Sequence, residues 1–572
     1  MNGTWVQVYD PLGSPWLSTA LAAAPIVVLL GLLVAGWSAH RSALAGLLLA
    51  LATAVWGFGM PGNAALAAAG YGAGFGLLPI GWIVVAAVFL YHLTVRSGQF
   101  EIVKRSVAAI SPDQRMQALL IAFSFGSFIE GAAGFGTPVA ISAALLIGLR
   151  FSPLYAAGLA LLANTSPVAF GALGTPILTL HEVSGVDLMR LSQMAGRQLP
   201  LFSLIVPAWL VAVMSGWRGV KGCWPAIAVC GGSFAALQFA VANYVGPTLV
   251  DVIAGLGSLL ALTLFLRVWQ PAEVWRFPDS ESNSAAAEAE AHSRPAEEPR
   301  PLTPGNVFHA WMPWIILSVM VFLWGTPRVK AFLDGGTKDH PNPLAGYTKL
   351  TWDVPQLHGR IYRTQPVAEV AAGSDRAATA EAARYSLNWL SATGTGIFLA
   401  AILSSLWLRI APGVFWRQFG ETLWKMRLAL LTIACMLALA FTTKYSGSDA
   451  TMGLAFTRTG WLYPFFAPLL GWLGVALTGS DTSSNALFGS LQRITAEQLN
   501  LPVVLIVGSN STGGVMGKMI DAQSIVVAAV ATEQHGQEGH ILRFVFWHSI
   551  ALAALVGLLT LVQAYLLPGM VP

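Results

Sequence analysis

Apolar runs long enough to cross a bilayer recur along nearly the whole chain. They fall near 19–39, 42–59, 79–95, 200–217, 224–243, 251–267, 308–325, 391–409, 428–443, 460–477 and 544–567, and a spanning helix needs about 20 mainly apolar residues. A Gly/Ala-rich stretch at 63–78 is short and small-sided, and reads as interfacial or re-entrant. Two regions break the pattern. In 116–180 and again in 471–530, apolar sequence is interrupted by residues that a lipid-facing helix does not need. Counting these broken segments, the pattern predicts an all-α polytopic membrane protein with roughly 11–15 membrane elements.

The interruptions come in corresponding places. In the first region Gly131, Gly134, Gly136 and Pro138 open one apolar run, and Asn164, Thr165, Ser166 and Pro167 open the next. In the second, the patch from Gly479 to Asn485 breaks one run, and Asn510, Ser511 and Thr512, followed by glycines, break the other. Asn164 and Asn510 are each followed by two hydroxyl residues and, seven positions on, by Gly171 or Gly517. Backbone groups freed inside hydrocarbon must be satisfied by protein or by a wet cavity. Paired interruptions in two halves point to a midplane site built from internal repeats, each half carrying a broken re-entrant hairpin and a broken helix. Half-helix N-termini present free N–H groups and positive dipole ends, which suit a carboxylate. The plainer alternative is a glycine-packed helix pair with a proline kink.

Charge placement sets the orientation. Arg41, Arg96, Lys104, Arg105, Arg115, Arg150, Arg218, Lys221, Arg267, Arg276, Arg409, Arg417, Lys425 and Arg427 fall on one side, which the positive-inside rule makes cytoplasmic. This requires 117–148 to enter and leave on that side, and it puts the N-terminus outside. The chain then divides into an N-terminal membrane half (1–268, with its broken segments in 116–180), a flexible cytoplasmic linker (269–307) rich in Ala, Glu, Ser and Pro, and a C-terminal half (308–572). The C-terminal half holds an outer loop (326–390) and the broken segments of 471–530.

Composition removes several function classes. Charged residues make up only 10% of the 572, and hydrophobic residues 55%, far from a soluble average of about 25% charged. A formal charge of +4, scattered over short turns, argues for no nucleic-acid partner. Cys223, Cys230 and Cys435 match no metal or disulfide pattern, so no metal is expected. GYGAGFG near Tyr71 has no strand before it and is no phosphate loop, so no nucleotide or other cofactor is expected. The N-terminus lacks the basic region of a cleaved signal peptide.

The segments VYDPLGSPWLS, SPDQRMQALL, FIEGAAGFGTPVAISAALLIGL, YAAGLALLANTSPVAFGALGTPIL, GRQLP, SATGT, GWLGVALTGSDTSSNALFGSLQ and STGGVMGKMIDAQSI together resemble the L-lactate permease family over nearly the whole length. The resemblance implies a bacterial inner-membrane carrier that imports lactate, glycolate and related 2-hydroxy monocarboxylates with protons. The wider superfamily such proteins are similar to uses paired hairpins with Ser-Asn-Thr-like motifs and is associated with elevator-type movement. ANTSP and SNST stand in those places here, neither a verbatim Ser-Asn-Thr triplet.

A 2-hydroxy acid needs donors for its carboxylate and polar partners for its hydroxyl. The candidates are Gly134, Gly136, Thr137, Asn164, Thr165, Ser166, Ser480, Thr482, Ser483, Ser509, Asn510, Ser511 and Thr512. Lys518, inside an apolar segment, is assigned to carboxylate attraction or to pairing with Asp521, three residues on. Proton coupling needs a buried ionisable group, and Glu130, Asp521 and Asp481 are the candidates, Asp481 equally fitting a helix cap. His181 and Tyr445, at span ends, read as interfacial residues. Two rival functions remain: a sodium-coupled dicarboxylate carrier, disfavoured by a single cation in the broken segments, and a membrane-embedded enzyme, for which no catalytic constellation is found.

Overall fold

A computed structural model describes residues 4–35, 37–132, 134, 137–277, 301–336, 342–367, 379–534 and 537–572. Among these, ten helices are long and apolar enough to cross a membrane, and the bent pair Pro153–Ala163 and Val168–Ser184 would add one more. The fold is that of an all-α polytopic membrane protein. Most of the linker, 278–300, lies outside the described residues.

Two expected boundaries change. The spans at 200–217 and 224–243 belong to one 57-residue helical stretch, Leu188–Tyr244, interrupted only at Gly216, whose φ of 65° and ψ of −170° no other residue type adopts easily. The Gly/Ala-rich stretch forms the helix Gly62–Phe75, which continues through the wide turn Gly76–Gly81 into Trp82–Arg96. Its small residues serve contact with the helix Pro412–Ser446: a Cβ on Gly72 would fall 2.2 Å from the Leu437 carbonyl oxygen. Small side chains let backbones meet where the hydrophobic effect does not drive helices together.

The two sequence halves interleave. Helices from Pro15 to Arg96 pack on Thr393–Trp407 and Pro412–Ser446, whereas the broken segments of both halves gather with Leu188–Tyr244, Val250–Phe265 and Glu538–Tyr565. The N-terminal strand Trp5–Val6 pairs in parallel with Ile361–Arg363, which pairs antiparallel with Thr379–Ala380. Leu350–Asp353 and Arg384–Leu387 form a second, two-stranded sheet. The N-terminus and the 326–390 segment, expected on one side, are thus hydrogen-bonded together. Gln7 anchors this cap, its amide donating to the Lys444 and Tyr445 carbonyls at 3.0 Å each. Arg96 and Arg417, expected on the other side, both reach Glu421.

Candidate functional site

Four elements build the site. The first hairpin rises through Gln114–Gln117, Ala118–Phe125 and Gly126–Ala132 and returns as Thr137–Gly148. Asp113 caps its start, accepting from the Arg115 N–H at 2.8 Å and pairing with the Arg115 guanidinium at 2.7 Å. The fold-back is fixed at its base, where Gln114 Nε2 donates to the Leu149 and Arg150 carbonyls (3.1 and 3.2 Å). The first broken helix runs Pro153–Ala163, turns at Asn164–Pro167 and resumes through Val168–Phe170 and Gly171–Ser184, bent by 61°. Ala172 and Leu173 hold positive φ angles of 42° and 58° beside Gly174, a conformation that costs a non-glycine residue about 1–2 kcal/mol.

The second hairpin pairs Tyr463–Thr478 with Asp481–Gln498 across a tip at Gly479 and Ser480. Ser484 Oγ donates to the Gly471 carbonyl (3.0 Å), and Gln492 Nε2 to that of Ala467 (2.7 Å), closing the two legs. The last element is Val503–Gly517, then Lys518–Ile520, then Ala522–Ala531. Here an expectation fails. The helix passes unbroken through Asn510, Ser511 and Thr512, and the interruption falls at Lys518–Asp521. Gly513 and Gly517 do not break the helix; they seat it against the second hairpin, where a Cβ would lie 2.1 Å from the Pro468 carbonyl oxygen or 2.3 Å from that of Trp472.

Both tips, the resumed half of the first broken helix and the second interruption face a cavity of about 70 Å³. Glu130 and Gly134 line it from the first hairpin, Gly171, Ala172 and Thr175 from the first broken helix, Gly479 to Thr482 from the second hairpin, and Lys518 from the last element. Lys518 Nζ donates to the Gly479 carbonyl at 2.7 Å and lies 3.2 Å from Asp521 Oδ2. Lys518 is thus paired with Asp521 and also part of the cavity wall. The same ammonium attracts Glu130 and Asp481.

The expected site residues divide into two sets. Glu130, Gly134, Ser480, Asp481, Thr482 and Lys518 meet at the cavity. Asn164 lies beside the Glu130 carboxyl, close enough to interact with it, but neither atom of its buried amide makes a hydrogen bond of good geometry, and Ser166 Oγ and Glu130 Oε2 are unpaired. Such buried orphans are rare and mark strained or functional places. Thr165 turns its hydroxyl back to the Leu162 carbonyl (2.8 Å). Ser480 caps the helix Asp481–Gln498, accepting from the Ser483 N–H at 3.2 Å.

The second set lies in the packed interior. Ser509 bonds the Ile506 carbonyl (2.7 Å), Asn510 donates to Asn485 (2.9 Å) and accepts from Gln492 (3.2 Å), Ser511 bonds Asp481, and Thr512 bonds Gln198. These four are fully buried and knit the last element to its neighbours. Asp521 caps Ala522–Ala531, accepting from the Ser524 N–H at 2.7 Å. Gly136 lies outside the described residues, and Thr137 begins a helix but its side chain is not described.

Sequence reasoning passes over Thr175, Gln198 and Asp251. Thr175 sits in a GTP turn with nothing to set it apart, and Gln198 in GRQLP just before an expected span. Asp251 opens an apolar run, where an acidic residue reads as a span end.

The family model described as L-lactate permease matches residues 18–567. The chain belongs to the L-lactate permease family. It is 46% identical to the L-lactate permease of Salmonella typhimurium (strain LT2) over 99% of this chain and 100% of that one. It is 47% identical to the glycolate permease GlcA of Escherichia coli (strain K12) over 99% of each. The L-lactate permease of Bacillus subtilis (strain 168) is 44% identical over 99% of this chain and 100% of its own. Together with the apolar helices, membership in the L-lactate permease family makes this a multi-pass permease of the bacterial inner membrane.

Proposed function

We propose that this protein imports L-lactate, glycolate and related 2-hydroxy monocarboxylates together with protons. The observation that carries the reading is the charge placed around one small cavity. Among the described residues Lys518 is the only Lys or Arg lining it, and that charge is already paired with Asp521. Glu130 and Asp481 line the same space, so an entering carboxylate would meet two further acidic groups in a medium that screens poorly. Protons on those groups remove the conflict, and a substrate anion that travels with a proton crosses as a neutral load. A single cation and a cavity this small suit a monoanion rather than a dianion. Whole-length likeness to proteins named L-lactate and glycolate permeases supports the substrate class.

Asn164, Ser166, Ser480 and Thr482 supply polar groups for the substrate hydroxyl and carboxylate, Lys518 supplies the attraction, and Glu130 carries the proton with Asp481 as the second acidic group. Alternating access comes from the two hairpins and two broken helices moving as one substrate-carrying unit against the helices of Pro15–Arg96 and Thr393–Ser446. The test is uptake of labelled L-lactate into proteoliposomes under an imposed proton gradient without sodium. Accumulation that a protonophore collapses and glycolate inhibits is expected. Uptake only with sodium would overturn the proton assignment, and no uptake under either gradient would overturn the substrate class.

A further inference from the structure

One buried carboxyl lies just behind the cavity wall. Asp251 sits in the first turn of the helix Val250–Phe265 and is 1% exposed. Neither of its oxygens has a hydrogen-bond partner among the described residues. An acidic residue in a first turn ordinarily accepts a backbone N–H or is drawn to the positive helix end, but no N–H reaches this one.

Its position is set by close packing on the first hairpin. Gly255 of the same helix meets Phe128, where a Cβ would fall 2.6 Å from the Phe128 nitrogen, and a Cβ on Gly131 would fall 2.7 Å from Asp251 Cβ. Asp251 is thereby held against the residue next to Glu130 in the chain. The elements packed on its helix offer it no cation. From Gly126–Ala132 it faces Glu130, the one charged group with which it interacts among the described residues. Ala118–Phe125 and Pro247–Leu249 contain no titratable side chain. On Leu188–Tyr244 the Cys230 thiol is held by Ser124 and Ser258, two turns further along the Asp251 helix, Arg197 is bonded to Asn243 and the Met570 carbonyl, and the Tyr244 side chain is exposed. On Gly171–Ser184, His181 and Glu182 stand at the far end.

We propose that Asp251 is a second proton-holding group, acting with Glu130 as a pair that takes up one proton from water on the outer side and releases it inside with each substrate. The proposal rests on the proton-coupled reading of the cavity. The one cation near the pair, Lys518, faces Glu130 alone and is already bonded to Asp521 and the Gly479 carbonyl; two carboxyls confined together on so little positive charge resist ionising together, and their protons belong to the pair rather than to either member. Glu130 Oε2 is unpaired, and Oε1 lies on the cavity side, 2.5 Å from where a Cβ on Gly171 would fall. Glu130 lines the cavity, and Asp251 does not. Asp251 touches no substrate and works by positioning the proton on Glu130.

The test uses the full-length protein in proteoliposomes, comparing wild type with Asp251→Asn. Three quantities are read: lactate counterflow without a gradient, accumulation under a proton gradient, and the pH profile of uptake. In Asp251→Asn accumulation is expected to fall at least roughly tenfold more than counterflow, and the pH midpoint to move by about one unit, the same factor in proton affinity. A variant with the wild-type profile and the wild-type ratio of accumulation to counterflow overturns the role of Asp251 alone. Wild-type uptake that ignores the proton gradient overturns the transport reading itself, so the two failures are distinct. If Asp251→Asn does not fold, Asp251→Glu decides: a carboxyl displaced by one methylene moves the midpoint, and an unmoved midpoint overturns the proposal.

Discussion

The first hairpin with its broken helix and the second with the last element present similar outlines and opposite wiring. Around Asn510, Ser511, Thr512 and Asp481 every side chain has a partner, with bonds to Asn485, Gln492 and Gln198 holding the helices together, and Asp481 Oδ1 is the one atom of these four left unpaired. Around Asn164, Ser166, Glu130 and Asp251 polar atoms are buried and unpaired. A fully satisfied network specifies one arrangement, whereas unsatisfied groups cost free energy until something pairs with them. The second region is therefore the frame, and under the proposed function the first is the part whose energy would change most when an anion and a proton arrive. Lys518 joins them, bonded to the second tip and facing Glu130 across the cavity.

The largest effect expected from breaking this contrast is at that junction. Lys518→Met strands Asp521 and removes the cavity's cation, and breaking a buried pair costs about 3–5 kcal/mol. Lactate uptake should fall roughly a hundredfold or more, and normal affinity and rate in the variant would end the substrate role of Lys518. Next come two asparagines with the same chemistry and different surroundings. Asn510→Ala takes away the donor that Asn485 Oδ1 accepts from and one of the two acceptors of Gln492 Nε2, so the purified protein should lose about 1–3 kcal/mol of stability, seen as a lowered Tm in detergent. Asn164→Ala removes an amide that makes no hydrogen bond of good geometry and whose polar neighbour is Glu130. It should leave Tm nearly unchanged, within about 0.5 kcal/mol, while raising the concentration for half-maximal uptake roughly tenfold. Equal Tm losses in the two variants would erase the distinction between frame and responsive part. The smallest effect is at the first tip, where Gly134 has a φ of +60° and a Cβ would meet that of Ala172 at 3.0 Å. Gly134→Ala is expected to cost about 1–2 kcal/mol, slowing transport several-fold with counterflow kinetics as the readout.

Much of this architecture is legible from residue types. ANTSP marks a true interruption because Asn, Ser and Pro all disfavour helix interior, and Gly479-Ser480 marks a tip because glycine turns the chain and serine caps the next helix. The second interruption lies several residues beyond its expected place for a physical reason. A glycine that allows close approach and a glycine that breaks a helix look alike in sequence. At 513, 514 and 517 the first use prevails, since their Cβ positions are already occupied by Pro468, Asp481 and Trp472. Membrane helices tolerate such glycines because neighbouring backbones fill the space. Asp251 is hidden differently. An acidic residue at the start of an apolar run suggests the water interface, and only the packing of Gly131 and Gly255 draws it inward.

The short strand Trp5–Val6 carries a consequence for biogenesis. Its partner, Ile361–Arg363, lies about 350 residues further along the chain, which at ~5–20 residues per second emerges roughly 20–70 s later. The beginning of the polypeptide must wait, unpaired, while most of the helices are threaded into the bilayer, and it is secured only when the cap arrives. Closure of that cap is thus a late step in maturation, and a bulky fusion ahead of Trp5 would obstruct assembly at its end rather than at its start.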